Sequence, residues 1–390
     1  MYRQFTEEQL GLQELAKKIA NEKIQPVRAR YDRDGIFPHD IVEEFVKSGL
    51  FRVFIPAECG GTVNEGMGIT EMCIVTEELS RVCGGIALSF AGTGLGAFPI
   101  ILFGNNEQKE KYLTPIAKGE KLAAFGLTEP EAGSDAAAQK TTARKEGDYY
   151  ILNGTKIFIT NGGEADIYTI VALTNPAKGI RGASAFVIEK GTPGFEFGKE
   201  ENKMGIRGSC TRELVFSDAK VPAENLLGRE GLGFIVAMKT FDVSRPGVAA
   251  QALGIAQGAL DECLKFAHRH TRDGKSFLSS QGIQWMLADM AMQIEAARAL
   301  IYKCAVLVDK GETKNIGHLS AMAKAFASDV AMKVTGDAVQ MFGGYGYSTE
   351  QPFEKMMRDA KITQIYEGTN QIQQNIIAVH LNKLAGKLNK

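Results

Sequence analysis

Apolar positions in the first 125 residues recur at three- and four-residue intervals, the period of helices that bury one face. Leu12, Leu15 and Ile19 fall on one such face, and Thr6 followed by Glu7 and Glu8 supplies an N-cap with an acidic first turn. Pro26, Gly35 and Pro38 interrupt the pattern before a second helix over 40–48, and the run FRVFIPAECGG (51–61) reads as a short extended piece closed by a glycine turn. Two further apolar helices are predicted, over 69–82 and 86–104. The second is so rich in Gly and Ala that something must approach its backbone closely.

From 126 to 235 the pattern shortens to strands. DYYILNGTKIFITN (148–161) is predicted as two strands joined by a hairpin turn at Asn153-Gly154, and the runs 166–175, 182–190 and 211–221 repeat the mix of β-branched and aromatic residues between turns. This is an all-β insert, read as an antiparallel barrel or sandwich. After Gly233 the helical period returns to the end. Met290, Ile294, Ala297 and Ile301 mark the seam of a long bundle helix, one of four or five expected. The fold class is therefore mainly α with a middle β domain, divided at 1–125, 126–235 and 236–390.

Composition narrows the function more than the fold. With 45 Lys and Arg against 46 Asp and Glu, the net charge of −1 leaves no broad footprint for nucleic acid. The 6 Cys contain no C-x-x-C pair and read as reduced thiols, the N-terminus goes straight into an acid-bearing amphipathic helix, and no apolar run was expected to reach the roughly 20 residues of a membrane span. A cytoplasmic prokaryotic protein is the simplest expectation. Several chemistries drop out by inspection: there is no phosphate-loop motif, no G-x-G-x-x-G after a strand, no G-x-S-x-G and no H-E-x-x-H. His268 and His270, two apart on a predicted helix, face different ways, so no metal is expected.

What remains are polar, glycine-rich segments that packing does not explain: LTEPEAGSD (127–135), KIFITNGG (156–163), KMGIRGS (203–209), FDVSRP (241–246), QMFGGYGY (340–347) and RDAKITQIYEGTNQIQ (358–373). On these segments, and in this order along essentially the whole chain, the sequence resembles the acyl-CoA dehydrogenase family. The resemblance implies an N-terminal helical domain, a middle β-barrel or sandwich and a C-terminal four-helix bundle. It also implies FAD-dependent α,β-dehydrogenation of an acyl-CoA thioester, electrons passing to an electron-transferring flavoprotein, and a homotetramer built as a dimer of dimers.

Such a reaction needs a base at the α-carbon and a hydride acceptor at the β-carbon. Alone, Glu367 would read as a loop glutamate capping the next helix; within IYEGT it matches the family's catalytic base. Asp242 in FDVSRP is a minor competitor, since that segment carries no Glu. For FAD the resemblance implies Phe125, Leu127, Thr128, Gly133 and Ser134 on one loop; Phe158, where the family often has Trp, with Ile159 and Thr160; and His270 with Arg272. It further implies Gln340, Gly343 and Gly344, holding the adenosine half from a neighbouring subunit, and Thr369 with Gln371 beside the pyrophosphate. For substrate it implies Ser134, Ala91, Asp242, Arg245, Tyr366 and Gly368, with Arg245 equally readable as a salt-bridge partner. No Arg lies in SFAGTGLGAFP (89–99) to bind a distal carboxylate, which argues against a glutaryl-type substrate and leaves short, branched, aromatic or alicyclic acyl groups.

Two departures stand out. His270 takes the place of the usual Arg, with Arg272 and Asp273 where Thr and Phe are usual, leaving Arg269 or Arg272 for the phosphate contact; and the turn at 312–318 is two residues longer. Three competitors share these motifs: an enoyl-CoA reductase running the reaction backwards, an acyl-CoA oxidase (disfavoured by the compact length), and a flavin- or CoA-binding protein without catalysis.

Overall fold

The computed structural model describes residues 5–272, 274–312 and 316–388. Six helices come first: α1 (Glu7–Ile19), α2 (Arg28–Asp34), α3 (His39–Lys47), α4 (Ile69–Val82), α5 (Gly84–Phe103) and α6 (Asn106–Ala117). Thr6 and Gln9 cap α1 reciprocally, each side chain accepting from the other's backbone N–H. The buried face of α1 is Ala16 and Ile19 rather than the expected line through Leu15, which is exposed: the helix runs on as a π-turn over Ala20–Ile24, and Ala20 and Ile24 extend the seam. The stretch after α3 is not extended. Leu50–Phe54 and Ala57–Cys59 are 3₁₀ turns that bury Phe51, Val53 and Phe54 together, which an extended chain would point to opposite sides.

A second correction concerns α5. Its 20 residues are long and apolar enough to cross a membrane, contrary to the expectation of no such run, yet 72% of its apolar window is buried within the protein. Its glycines explain how. A Cβ on Gly96 would stand 2.4 Å from the Ala124 backbone nitrogen, and one on Gly92 2.9 Å from the Thr160 methyl. The close approach inferred from sequence is that of the middle domain's strands.

Those strands are β1 (Ala123–Gly126), β2 (Thr142–Glu146), β3 (Tyr149–Thr160), β4 (Ile167–Leu173), β5 (Ala183–Glu189), β6 (Phe195–Glu200), β7 (Thr211–Pro222) and β8 (Leu226–Leu227). They form one eight-stranded sheet in the order β6-β7-β3-β2-β4-β5-β8, with β1 beside β4. Pairing is antiparallel except where β4 meets β1 and β2, so the sheet is mixed rather than wholly antiparallel. Period-two alternation sorts β4 between two cores: Ile167, Val171 and Leu173 pack with the helices, and Tyr168, Ile170 and Ala172 with Tyr150, Phe186, Phe195 and Phe216 inside the curled sheet.

The expected hairpin at Asn153-Gly154 is absent. β3 runs straight through these residues, and the hairpin to β2 turns at Gly147-Asp148, with Gly147 at φ +55°. Asn153-Gly154 is instead a bulge against β7. The Asn153 carbonyl oxygen of the side chain accepts from the Asp218 N–H and its amide donates to the Asp218 carboxylate, each at 2.9 Å. A bulge and a tight turn ask the same residues for unusual backbone, so dipeptide chemistry alone does not separate them.

The C-terminal part holds α7 (Gly233–Arg269), a two-stranded ribbon of β9 (Thr271–Arg272) and β10 (Lys275–Ser276), then α8 (Gln281–Asp309), α9 (Ile316–Phe342), α10 (Gly344–Tyr347), α11 (Phe353–Thr363) and α12 (Asn370–Leu388). The ribbon interrupts what was expected to be all helix, because Gly274 at φ +74° turns the chain back on itself. Met290, Ile294, Ala297 and Ile301 are buried along α8, as the seam predicted.

Candidate active site

Where α5, α7, the ends of β1 and β3 and the loop after α11 converge, they enclose a cleft. Its apolar wall is Met72 from α4, Leu88, Ala91 and Leu95 from α5, and Val248 from α7. Phe125 and Phe241, also in the lining, meet edge to face at 5.8 Å. Gln251 and Tyr366 complete the lining, the tyrosine hydroxyl donating to the Gln251 side-chain carbonyl. Gln251 also donates to the Gly84 carbonyl at 3.0 Å, which locks it to the start of α5.

The opposite wall is Leu127, Thr128, Phe158, Ile159 and Thr160. Here β3 slips register against β7 between Lys156 and Ile159, and Phe158 takes φ +58°, which turns its ring out of the sheet and leaves it 59% exposed. Beneath this wall Lys156 is wholly buried. Its ammonium donates to Glu129 at 2.7 Å and to the Leu127 carbonyl at 3.0 Å, while the Ile157 N–H donates to the Thr128 carbonyl at 2.9 Å. Glu129 also accepts the N–H groups of Lys140 and Thr141. Burial pulls Lys156 down to about 8 against the attraction of Glu129; for Glu129 burial pushes up, but Lys156 and its hydrogen bonds outweigh it and hold the carboxyl below its usual range. The loop 127–141 is thereby bolted to β3. Lys156, a charge inside an apolar strand run, is the sequence signal for this bolt.

Glu367 stands between the two walls, in the loop before α12, at φ +51° with Gly368 at +91°. Ser244 Oγ, two turns of α7 before Gln251 and like it on the cleft side, donates to Glu367 Oε2 at 2.6 Å. Arg245 Nε donates to the Glu367 carbonyl at 3.2 Å, and Gln373 holds the same carbonyl at 3.1 Å. Burial raises the Glu367 carboxyl above its usual range, opposed by the Ser244 hydrogen bond and by the charges of Arg245 and Lys324. Neither the Glu367 N–H nor the hydroxyls of Thr128 and Thr160 have a protein partner among the described residues.

Of the residues implied by resemblance, the cleft thus gathers Ala91, Phe125, Leu127, Thr128, Phe158, Ile159, Thr160, Tyr366 and Glu367. Arg245 lies behind the base, 4% exposed, with its guanidinium 5.5 Å from the Phe241 ring, and Gly368 adjoins it. Asp242 is turned toward α9, paired with Lys239 at 3.5 Å and pushed up by burial; it is off the cleft wall. Gly133 and Ser134 are exposed in the loop before β2. Thr369 caps α12 through the Ile372 N–H, and Gln371 is exposed on that helix. A separate group lies where α7 and α9 end: Gln340, Gly343 and Gly344 are exposed, and His270 stacks on Phe266 with centroids 3.7 Å apart, its Nδ1 2.9 Å from the Phe266 carbonyl. Arg272 belongs to β9 by its backbone, while Asp273 and part of the long 312–318 turn lie outside the described residues.

A helical layer, a curled sheet and a second helical layer meeting around a half-buried carboxylate form a three-domain oxidoreductase scaffold. Family models for the acyl-CoA dehydrogenase N-terminal, middle and C-terminal domains match residues 6–120, 124–219 and 231–382. Among solved structures, butyryl-CoA dehydrogenase from Megasphaera elsdenii is 48% identical, with a TM-score of 0.95 over 98% of this chain and 100% of that one. A chain from a structure of the electron transferring flavoprotein of Acidaminococcus fermentans is 49% identical, with a TM-score of 0.94 over 97% of this chain and 98% of that one. Acryloyl-CoA reductase (NADH) from Anaerotignum propionicum is 47% identical over 380 residues, 97% of this chain and 95% of the relative. The chain belongs to the FAD-dependent acyl-CoA dehydrogenase family.

Proposed function

We propose that this protein is a short-chain acyl-CoA dehydrogenase in which Glu367 removes the α-proton of an acyl-CoA thioester, with FAD as the cofactor that would accept the β-hydride and an electron-transferring flavoprotein as the partner that would reoxidise it. The observation that carries this reading is Glu367 itself: a carboxylate of raised basicity, hydrogen-bonded by Ser244, facing an apolar cleft. A raised pKa brings a carboxylate closer to the basicity that proton abstraction near neutrality requires.

The opposite wall fits a flavin. Unpartnered hydroxyls on Thr128 and Thr160 are placed to bond a heteroaromatic edge, and the exposed Phe158 ring offers a face to stack on. When bound there, FAD supplies a two-electron acceptor for the hydride leaving the β-carbon. The chain's own part is positioning and proton transfer. The Glu367 N–H, without a protein partner among the described residues, is available to donate to the thioester carbonyl and so stabilise the charge that develops as the α-proton leaves. The proton passes to a Glu367 carboxylate oxygen, and the Leu88, Ala91 and Leu95 wall excludes water from it. By the family resemblance Arg245, Gly368 and Tyr366 support the substrate side, Asp242 and Ser134 the pantetheine, and Gly133, Thr369 and Gln371 the cofactor phosphates.

A short acyl chain is proposed because the chain is 48% identical to a butyryl-CoA dehydrogenase, and because the cleft lining includes the Gln251–Tyr366 pair, whose hydrogen bond a chain passing between them would have to break. Gln340, Gly343 and Gly344, with His270 and Arg272, lie away from the cleft, and we assign them to the cofactor of a neighbouring copy within a tetramer built as a dimer of dimers. The test is anaerobic titration of the purified yellow protein with straight, branched, aromatic and cyclic acyl-CoAs. Butyryl-CoA should bleach the flavin fastest. A protein that binds FAD but is bleached by no acyl-CoA would overturn the assignment. The Anaerotignum relative favours one variant of the reading, physiological reduction of an enoyl-CoA on the same residues; there, reduced enzyme is reoxidised by an enoyl-CoA faster than acyl-CoA reduces it.

A further inference from the structure

The left-handed backbone of Glu367 is one that a side-chain-bearing residue holds only when its surroundings over-determine it. Helix α9 supplies that constraint. Lys324, fully buried, donates from Nζ to the Gly368 carbonyl at 2.8 Å and to Asn370 Oδ1 at 3.0 Å. Asn370 in turn donates to Asp329 at 2.8 Å, and Gln364 donates to the same Asp329 oxygen at 2.6 Å. One helix therefore grips the loop on both sides of the base, at 364 and at 368–370.

Among the described residues Lys324 forms no ion pair, an expensive arrangement for a buried ammonium. A neutral side chain would serve stability better. We propose that Lys324 is a positioning residue for the dehydrogenation: it fixes the Gly368 carbonyl so that the Glu367 carboxylate stays turned into the cleft, and its charge favours the ionised base. This inference rests on the proposed function. The groups bearing on Glu367 are Ser244 and Arg245 from α7, Lys324 from α9 and Tyr366 on its own loop, while Asp329 and Arg245 bear on Lys324. Burial lowers Lys324 to about 7, with Glu367 opposing, so its charge is present below that pH and fades above it. The amine keeps its hydrogen bonds in either form.

The experiment uses the FAD-loaded enzyme and acetyl-CoA, which has α-hydrogens but no β-carbon to give up a hydride. Exchange of those hydrogens with deuterated water, followed by mass spectrometry across pH, reads the base without any oxidation. Lys324→Met should slow exchange and butyryl-CoA bleaching together, by roughly 10- to 100-fold, at unchanged FAD content. The acid limb of the exchange profile should move to higher pH, because Glu367 has lost a neighbouring cation. Lys324→Gln keeps a donor for Gly368 without the charge: it should recover part of the rate but not the acid limb, and it decides the matter if the Met variant does not fold. Wild-type rate and an unmoved acid limb in a folded variant overturn the inference while leaving the function intact. Wild-type enzyme that neither exchanges nor bleaches overturns both.

Discussion

At the residue scale the site rests on opposing forces on one carboxylate. Burial raises Glu367 and Ser244 restrains it, so removing the hydroxyl should release the restraint. Ser244→Ala is expected to shift the acid limb of flavin bleaching upward by roughly one to two pH units, given about 1.5–3 kcal/mol for a hydrogen bond to a charged group. The sign follows from the base's role: activity is present above the Glu367 pKa and disappears as pH falls through it, so a further rise narrows the active range from the acid side. Glu367→Gln should keep FAD and acyl-CoA binding but lose at least ~10²–10⁴-fold in the bleaching rate; near wild-type bleaching would remove Glu367 from the reaction. Gln251→Ala removes a lining side chain together with its hydrogen bond to Tyr366, and should move the preferred acyl chain toward greater length, read as the ratio of hexanoyl- to butyryl-CoA bleaching rates. Much of this was legible in the chain. IYEGT singled out Glu367, and LTEPEAGSD with KIFITNGG supplied the wall facing it. Ser244, Gln251, Lys156 and Lys324 were not singled out as site residues, because each acts through a contact across more than one element, and no local pattern records which distant group a buried side chain will meet.

At the element scale the helices and strands follow from periodicity, and the discrepancies share a cause. Asn153-Gly154, the Gly-rich α5 and the 50–59 segment each show unusual backbone or composition whose purpose is set by a neighbour: β7 for the bulge, β1 and β3 for the helix. Sequence marks such places as special without saying which special structure they adopt. The Lys156–Glu129 pair gives a test of an element held by one contact. Lys156→Met would strand Glu129 in the interior, and chemical denaturation should show a loss of about 3–5 kcal/mol. Weaker FAD retention should accompany it, since the loop 127–141 loses its bolt to β3; unchanged retention would show that backbone hydrogen bonding alone suffices to hold that loop.

At the scale of the whole molecule, the surface of α12 asks for company. Its only buried residues are Asn370 and Gln373, whereas Val379, Leu381, Leu384 and Leu388 are 45–79% exposed. If the chain assembles as proposed, light scattering on the purified protein should give four times 42.3 kDa, and a double change of Leu381 and Leu384 to Glu should lower that mass. A monomer in the wild type would refute the assembly. The two-faced strand β4 carries a different consequence. Because its odd-numbered residues complete the helical core and its even-numbered ones the interior of the sheet, it is a party wall between them. Neither room can be emptied without opening the other, so the chain should melt in a calorimeter as one cooperative unit, its helical and sheet parts losing structure at a common temperature.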